Sequence, residues 1–357
     1  MNALDYGKKI IDSHVRDKEI PGACFALVTR EGTRFGCAGY KSLVPRLEKV
    51  SNDTLYDLAS VTKAVSTTTV VLKLIEEGCF TLDTPLSDLL PDFPHKKVTI
   101  KQILTHTSGI CHDDKAYKAF YGKSDIWNFF KNKPLEFEPG TDLSYSDFGY
   151  IALGFAAEKF VGSLETFSEK TIFQPLKMNE TVYRPAAKGL GHRCAPTEQT
   201  ADRGIICGEV HDGKAWRLSG VSGNAGLFST TADLSRFVLM LLNGGEWDGA
   251  RILSESTVNL LKRCYTQGYS ARRTLGWICN DPTAKFGDYY SDVCLFHTGF
   301  AGTSVYVDFV RCCGILLLTN RIHPSRDNVK IQEIRNQFHN VVLLHFDEEE
   351  RLKQKGE

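Results

Sequence analysis

The chain has 357 residues, 42% of them apolar and 24% charged, which is enough to bury a large core as one big domain or two interleaved lobes. Lys and Arg together number 43, as do Asp and Glu, so the formal net charge is zero and no basic field exists to hold nucleic acid or an anionic membrane surface. Apolar runs such as "GILLLT" at 314–319 fall far short of the ~20 residues a membrane span needs.

Within the first 22 residues no apolar stretch is long enough for a signal peptide. Residues 3–16 set Leu4, Ile10, Ile11 and Val15 roughly on one helical face, which predicts an N-terminal helix. Two β-rich runs follow, 23–30 and 33–40, split by Glu31-Gly32, a hairpin signal. Over 64–77, Val65, Val71, Leu72, Leu74 and Ile75 recur at mostly helical spacing. From about 80 to 220 the pattern is short helices and loops, punctuated by Pro91, Pro94 and Pro139-Gly140; "TIKQILTHTSGI" (99–110) and "GYIALGFAAEKFVG" (149–162) are its clearest helices. Three strand-like runs, 294–300, 302–310 and 313–320, are joined tightly enough to predict an antiparallel meander. A helix is expected near 327–345, with the charged tail "DEEERLKQKGE" solvated and frayed beyond it.

Strands at both ends with helices between them predict an α+β fold. One antiparallel sheet is expected from residues 1–60 together with 221–357, and a mainly helical lobe, 61–220, inserted in the middle. The eleven cysteines are odd in number, scattered and without a C-x-x-C pair. They read as reduced core residues of a reducing compartment, so a cytoplasmic location is expected. His106, His112, His192 and His211 lack metal spacing such as H-E-x-x-H, so neither metal nor other cofactor is expected.

Three short stretches carry chemistry. In "YDLASVTKAV" (56–65), Ser60 stands at or next to a helix N-terminus, where a serine most often serves as a cap. Lys63 follows on the same face, in a first turn whose dipole disfavours a cation, and a desolvated amine is a base that can activate a hydroxyl. In "LSYSDFGYIALG" (143–154), Tyr145, Ser146 and Asp147 precede a helix that Ser146 or Asp147 could cap. In "LFHTGFAGTSVYVD" (295–308), His297-Thr298-Gly299 ends one strand and Gly302 turns into the next. No clean G-x-S-x-G elbow is present, and Gly220–Gly226 reads as a tight structural turn or as a loop beside the site. His211-Asp212 and Asp202-Arg203 lie in a polar segment that reads equally as a solvated loop or as a cleft wall.

Taken in order, Ser-x-x-Lys, a Tyr motif and His-Thr-Gly resemble the motif triple of serine β-lactamases and penicillin-binding proteins, in the class C branch with its Tyr motif. The resemblance runs along almost the whole chain, including "EPGTDLSYSDFGYIALG" and "GVSGNAGLFSTTADLSRF". It implies a β-lactamase/transpeptidase-like fold and a serine hydrolase acting on a small molecule or short peptide, with no nucleic acid partner. Ser60 would be acylated, with Lys63 and Tyr145 moving its proton. The amides of Ser60 and Phe300, the residue after His297-Thr298-Gly299, would receive the oxyanion.

Two positions depart from the β-lactamase pattern. Asp147 stands where the family usually has Asn; an ionised Asp only accepts hydrogen bonds and would hold Lys63 charged. His297 replaces a Lys whose permanent charge suits a substrate carboxylate, and an imidazole near pH 7 is mostly neutral. The expected substrate is therefore an ester, an amide or a D-amino-acid peptide. The alternatives are a true β-lactamase or D-alanyl-D-alanine carboxypeptidase, an acyltransferase, and a non-catalytic penicillin-binding-like sensor.

Overall fold

The computed structural model of the protein describes residues 1–112 and 115–356. Helix α1 (Ala3–Arg16) opens the chain, capped by Asn2, and buries Leu4 and Ile11. Strands β1 (Gly22–Thr29) and β2 (Gly32–Ser42) form the predicted hairpin, in register from Gly22↔Gly39 to Thr29↔Gly32. The helix predicted over 64–77 begins with a π-helical turn, Lys63–Thr68, and continues as α2 (Thr69–Glu76). Helices α3 (Asp147–Val161), α4 (Gly213–Arg217) and α5 (Thr231–Leu242) follow. The meander is β3 (Cys294–Thr298), β4 (Ser304–Asp308) and β5 (Cys313–Thr319), and α6 (Ile331–Lys355) closes the chain.

The strands build one eight-stranded antiparallel sheet, in the order Arg273–Thr274, Trp277–Ile278, β3, β4, β5, β1, β2, Glu48–Lys49. The N-terminal hairpin thus joins the C-terminal meander, with β1 against β5 from Ala23↔Thr319 to Thr29↔Cys313. Side chains of β1 alternate between two covered faces. Ala23, Phe25 and Leu27 pack with α1 and α6, while Cys24, Ala26 and Val28 pack with Leu234, Phe237 and Val238 of α5. A strand covered on both faces reads as an unbroken apolar run, which is how it appears in the sequence. The second of these clusters continues through Val61 and Val65 to Phe148 and Ile151 of α3, so one core holds the sheet and the helices that carry the site.

Two boundaries differ from the sequence reading. The helix expected over 99–110 spans only Ile100–Leu104; a Thr99–Gln102 capping box starts it, and His106 (φ +60°) and Gly109 (φ +75°) turn the chain away. The tail expected to fray is helical to Lys355, because its charges find partners on the sheet side. Glu349 pairs with Arg34 at 2.8 Å, Asp347 with Arg311 at 2.7 Å, and Lys353 with Glu31 at 2.7 Å. Glu357, the last residue of that tail, lies outside the described residues. All eleven cysteines are free thiols. Among the described residues no helix is long and apolar enough to cross a membrane.

Candidate active site

Ser60 sits in a turn held under strain. Residues Tyr56–Asp57 form a short strand, and Ala59 then adopts φ +47°, a left-handed conformation that costs a non-glycine residue on the order of 1–3 kcal/mol. Asp57 fixes it: Oδ1 accepts the Ala59 amide at 2.8 Å, and Oδ2 accepts the His211 amide at 2.7 Å. The helix starts at once, with the Lys63 amide donating to the Ser60 carbonyl at 3.0 Å. Ser60 is half-buried, whereas Lys63 is fully buried. The Lys63 ammonium donates to Ser60 Oγ at 3.0 Å and to the Asn224 carbonyl at 2.9 Å, and it stands 2.7 Å from Asp147 Oδ1 in an ion pair.

That Asn224 carbonyl places the glycine-rich loop 220–226 at the site. The Thr67 hydroxyl of the π-helical turn donates to the Gly223 carbonyl at 2.8 Å. Gly223 runs so close to α3 that a Cβ there would stand 2.0 Å from the Tyr150 carbonyl, so only glycine fits.

Tyr145 lies just before α3, which Ser146 caps by accepting the Gly149 amide at 2.9 Å. His106 clamps this segment from both sides: its carbonyl accepts the Ser144 amide at 3.0 Å and its Nδ1 accepts the Ser146 amide at 3.1 Å. Burial, with Arg273 and Lys63 nearby, holds His106 well below the usual histidine range, which suits an imidazole nitrogen acting as acceptor. The Tyr145 ring lies tilted against His106 (4.4 Å between centroids) and 4.9 Å from the Lys63 ammonium.

Asp147, the first residue of α3, bridges two ammonium groups. Lys63 approaches Oδ1, and Lys214 of α4 stands 3.1 Å from Oδ2. Burial would raise the Asp147 carboxyl, but the two cations outweigh it and bring it down to about 2. Burial likewise opposes charge on Lys63, yet Asp147 and Tyr145 hold the ammonium above the ordinary lysine range.

His297 behaves otherwise. It is 4% exposed, it bonds the Thr298 carbonyl through Nδ1 at 3.0 Å, and burial together with Lys63 and Arg273 drives it down to about 3. Phe300 lines the cavity, whereas His297, Thr298 and Gly299 are not among its lining residues. Gly299 lets the turn after β3 rest on the turn before Ser60: a Cβ there would stand 2.3 Å from the Leu58 carbonyl, which also accepts from Thr303 Oγ1 at 3.1 Å.

A cavity of about 790 Å³ opens over Ser60, with Tyr145, Asp147 and Phe300 in its wall. Asp202, Arg203, His211 and Asp212 line it too, so that polar segment is a cleft wall. His211 stacks on Phe300, with centroids 5.6 Å apart, and its Nε2 lies 2.9 Å from Glu198 Oε2. Arg326 clasps Glu198 at 2.6 Å, and the contacts from Arg326 and His211 overcome burial to bring that carboxyl down to about 2. Sequence reading did not single out Glu198, Lys214, Trp216, Arg217 or Arg326, since each lies outside a motif and reads as an ordinary surface residue.

The sequence model of the Beta-lactamase family matches residues 8–337. A relative from Salmonella agona named "Putative D-alanyl-D-alanine carboxypeptidase" is 34% identical over 315 residues, covering 79% of this chain and 72% of its own length. Among solved structures, the simvastatin synthase LovD of Aspergillus terreus superimposes with a TM-score of 0.76 at 19% identity, over 96% of this chain and 98% of that one. A class C beta-lactamase reaches 0.76 at 18% identity, covering 96% of each chain. EstCE1, a hydrolase with promiscuous acyltransferase activity, reaches 0.75 at 19% identity, over 93% of this chain and 98% of that one. At these identities the structural likeness is one of fold.

Proposed function

This chain belongs to the beta-lactamase family and is a serine hydrolase, and from that premise we propose that it acts through an acyl-enzyme on Ser60, on an ester, an amide or a D-amino-acid peptide. The carrying observation is the Lys63 ammonium, which donates to Ser60 Oγ at 3.0 Å while Asp147 keeps it charged from 2.7 Å. A lysine held as ammonium supplies charge and not a base, so the Ser60 proton passes to Tyr145, whose ring lies against Lys63. Ser60 Oγ attacks the substrate carbonyl carbon, and the amides of Ser60 and Phe300 receive the oxyanion; losing one such donor costs ~3 kcal/mol. Collapse breaks the bond to the leaving group, which takes the proton from Tyr145. Water, giving its proton to the same group, then releases the acid and frees Ser60.

His297 supports this choice of substrate class. Neutral and 4% exposed, it offers no permanent charge to a substrate carboxylate, which weighs against efficient β-lactam turnover. The test is a panel of nitrocefin, a p-nitrophenyl ester and a D-amino-acid p-nitroanilide, run on the wild type and on Ser60→Ala. Expected are turnover of the ester or anilide at least ~100-fold above nitrocefin, and its loss in Ser60→Ala with the fold intact by circular dichroism. Full activity in Ser60→Ala, or a fluorophosphonate adduct located elsewhere by mass spectrometry, would sink the reading.

A further inference from the structure

Five residues close a ring beside Ser60. Lys63 Nζ stands 2.7 Å from Asp147 Oδ1, Lys214 Nζ 3.1 Å from Asp147 Oδ2, and Lys214 Nζ 3.6 Å from Asp212 Oδ2. Asp212 Oδ1 accepts from Asn224 Nδ2 at 3.0 Å, and the Asn224 carbonyl accepts from Lys63 at 2.9 Å, which returns to the start. Two ammonium groups and two carboxylates alternate around it, and Lys63, Lys214 and Asn224 are buried.

The ring is fixed from outside. Asp212 caps α4 by accepting the Ala215 amide at 2.8 Å, and the Ser222 hydroxyl donates to Asn224 Oδ1 at 2.7 Å. The Lys214 ammonium lies over the Tyr117 ring at 4.9 Å and near the Phe148 ring at 5.9 Å. A lysine so enclosed is not a solvated surface charge, since burying an ammonium is unfavourable unless carboxylates or rings receive it.

We propose that Lys214 is a positioning residue for the Ser60 reaction, taking the second oxygen of Asp147 so that this carboxylate is shared between two ammonium groups and does not fully offset Lys63. Resting on Ser60 as the nucleophile, this accounts for a carboxylate at position 147. Asp147 paired with Lys63 alone would cancel the ammonium that Ser60 needs as its proton leaves. With Lys214 on the other oxygen the Asp147 charge is divided between two ammonium groups, and Asp212, 3.6 Å from Lys214, balances the second of them. Tyr145, Tyr150, His106 and His297 also face Lys63, Arg273 faces both histidines, and Asp57 lies near Asp212. All of these are common to the variants below.

The test follows Ser60 modification by a fluorophosphonate, and kcat and KM on a p-nitrophenyl ester, from about pH 5 to pH 10. Lys214→Met removes a cation, so the rising limb of kcat/KM is expected to move up by about one pH unit, with kcat at pH 7 down about tenfold and KM within about twofold. Lys214→Arg keeps the charge and is expected to recover most of that loss. Asp212→Asn keeps the cap and removes a negative charge, so its limb is expected to move to lower pH. Shifts of opposite sign from two substitutions on one ring are not produced by a general loss of structure. Limbs that stay put, or move the same way in both, overturn the role of Lys214 while Ser60 remains the labelled residue. A wild type unlabelled at Ser60 overturns the underlying reading and this proposal with it. Should Lys214→Met not fold, Asp212→Asn against the wild type decides alone.

Discussion

Two basic side chains, one on each side of the site, meet opposite fates. Lys63, on the helix that follows Ser60, is fully buried; His297, at the end of β3, is 4% exposed. Burial pushes both toward their neutral forms. Lys63 keeps its proton because the Asp147 carboxylate stands 2.7 Å away. His297 has a backbone carbonyl as its bonded partner and the cations Lys63 and Arg273 as neighbours, and it loses its charge. Burial does not decide the protonation state; the nearest partner does. Of these two basic side chains the charged one therefore lies on the helix side, where Lys63 and Lys214 share one carboxylate, and His297, where the sequence pattern would have put a charge, carries none.

The sharpest way to break this contrast is to remove each base in turn. Lys63→Met is expected to lower kcat/KM on an ester by ~10³, whereas His297→Gln is expected to lower it less than ~10-fold. Equal losses, measured in steady state, would mean that the two bases share the work. Asp147→Ala comes next. It leaves two buried ammonium groups without their shared carboxylate, and an uncompensated buried charge costs ~3–5 kcal/mol, read as a lower midpoint in urea. Adding Lys63→Met to Asp147→Ala is expected to recover part of that stability; no recovery would place the cost elsewhere.

The same contrast divides what the sequence reveals from what it hides. The sheet was legible because β1 and β5 are continuous apolar runs and the hairpin turn is marked by Glu31-Gly32. That Ser60, Lys63 and Tyr145 meet in one place was legible because each belongs to a short ordered motif with a chemical reason for its spacing. Lys214 was not: its part arises from a contact with Asp147 across 67 positions of chain, and no local pattern encodes such a contact. The depth of His297 was hidden for a similar reason, since it depends on Trp277 packing edge-on at 6.2 Å from the neighbouring strand. The helical tail was misread because its charges suggest solvation, and the partners that order it, Arg34, Arg311 and Glu31, come from distant parts of the chain.

The smallest expected effect is in stability against pH, where the two bases should act at opposite ends. His297 sits at about 3 in the fold against ~6.5 for an unfolded histidine, so unfolding takes up a proton in between. Its contribution is fully present above pH ~6.5 and fades as the pH falls toward 3, with a slope of at most ~1.4 kcal/mol per pH unit. His106, also lowered by burial, adds in the same direction and is present in both proteins being compared. Asp147, at about 2, adds its own loss only below the unfolded value of ~3.9, outside a window of about pH 4 to 6.5. His297→Gln should therefore flatten the acid limb within that window, measured by urea denaturation. The raised Lys63 works the other way: its contribution is present below ~10.4 and is lost as pH rises beyond it, so Lys63→Met should flatten the alkaline limb. Parallel curves for wild type and His297→Gln between about pH 4 and 6.5 would mean that His297 carries no penalty for burial, and the difference between the two bases would collapse.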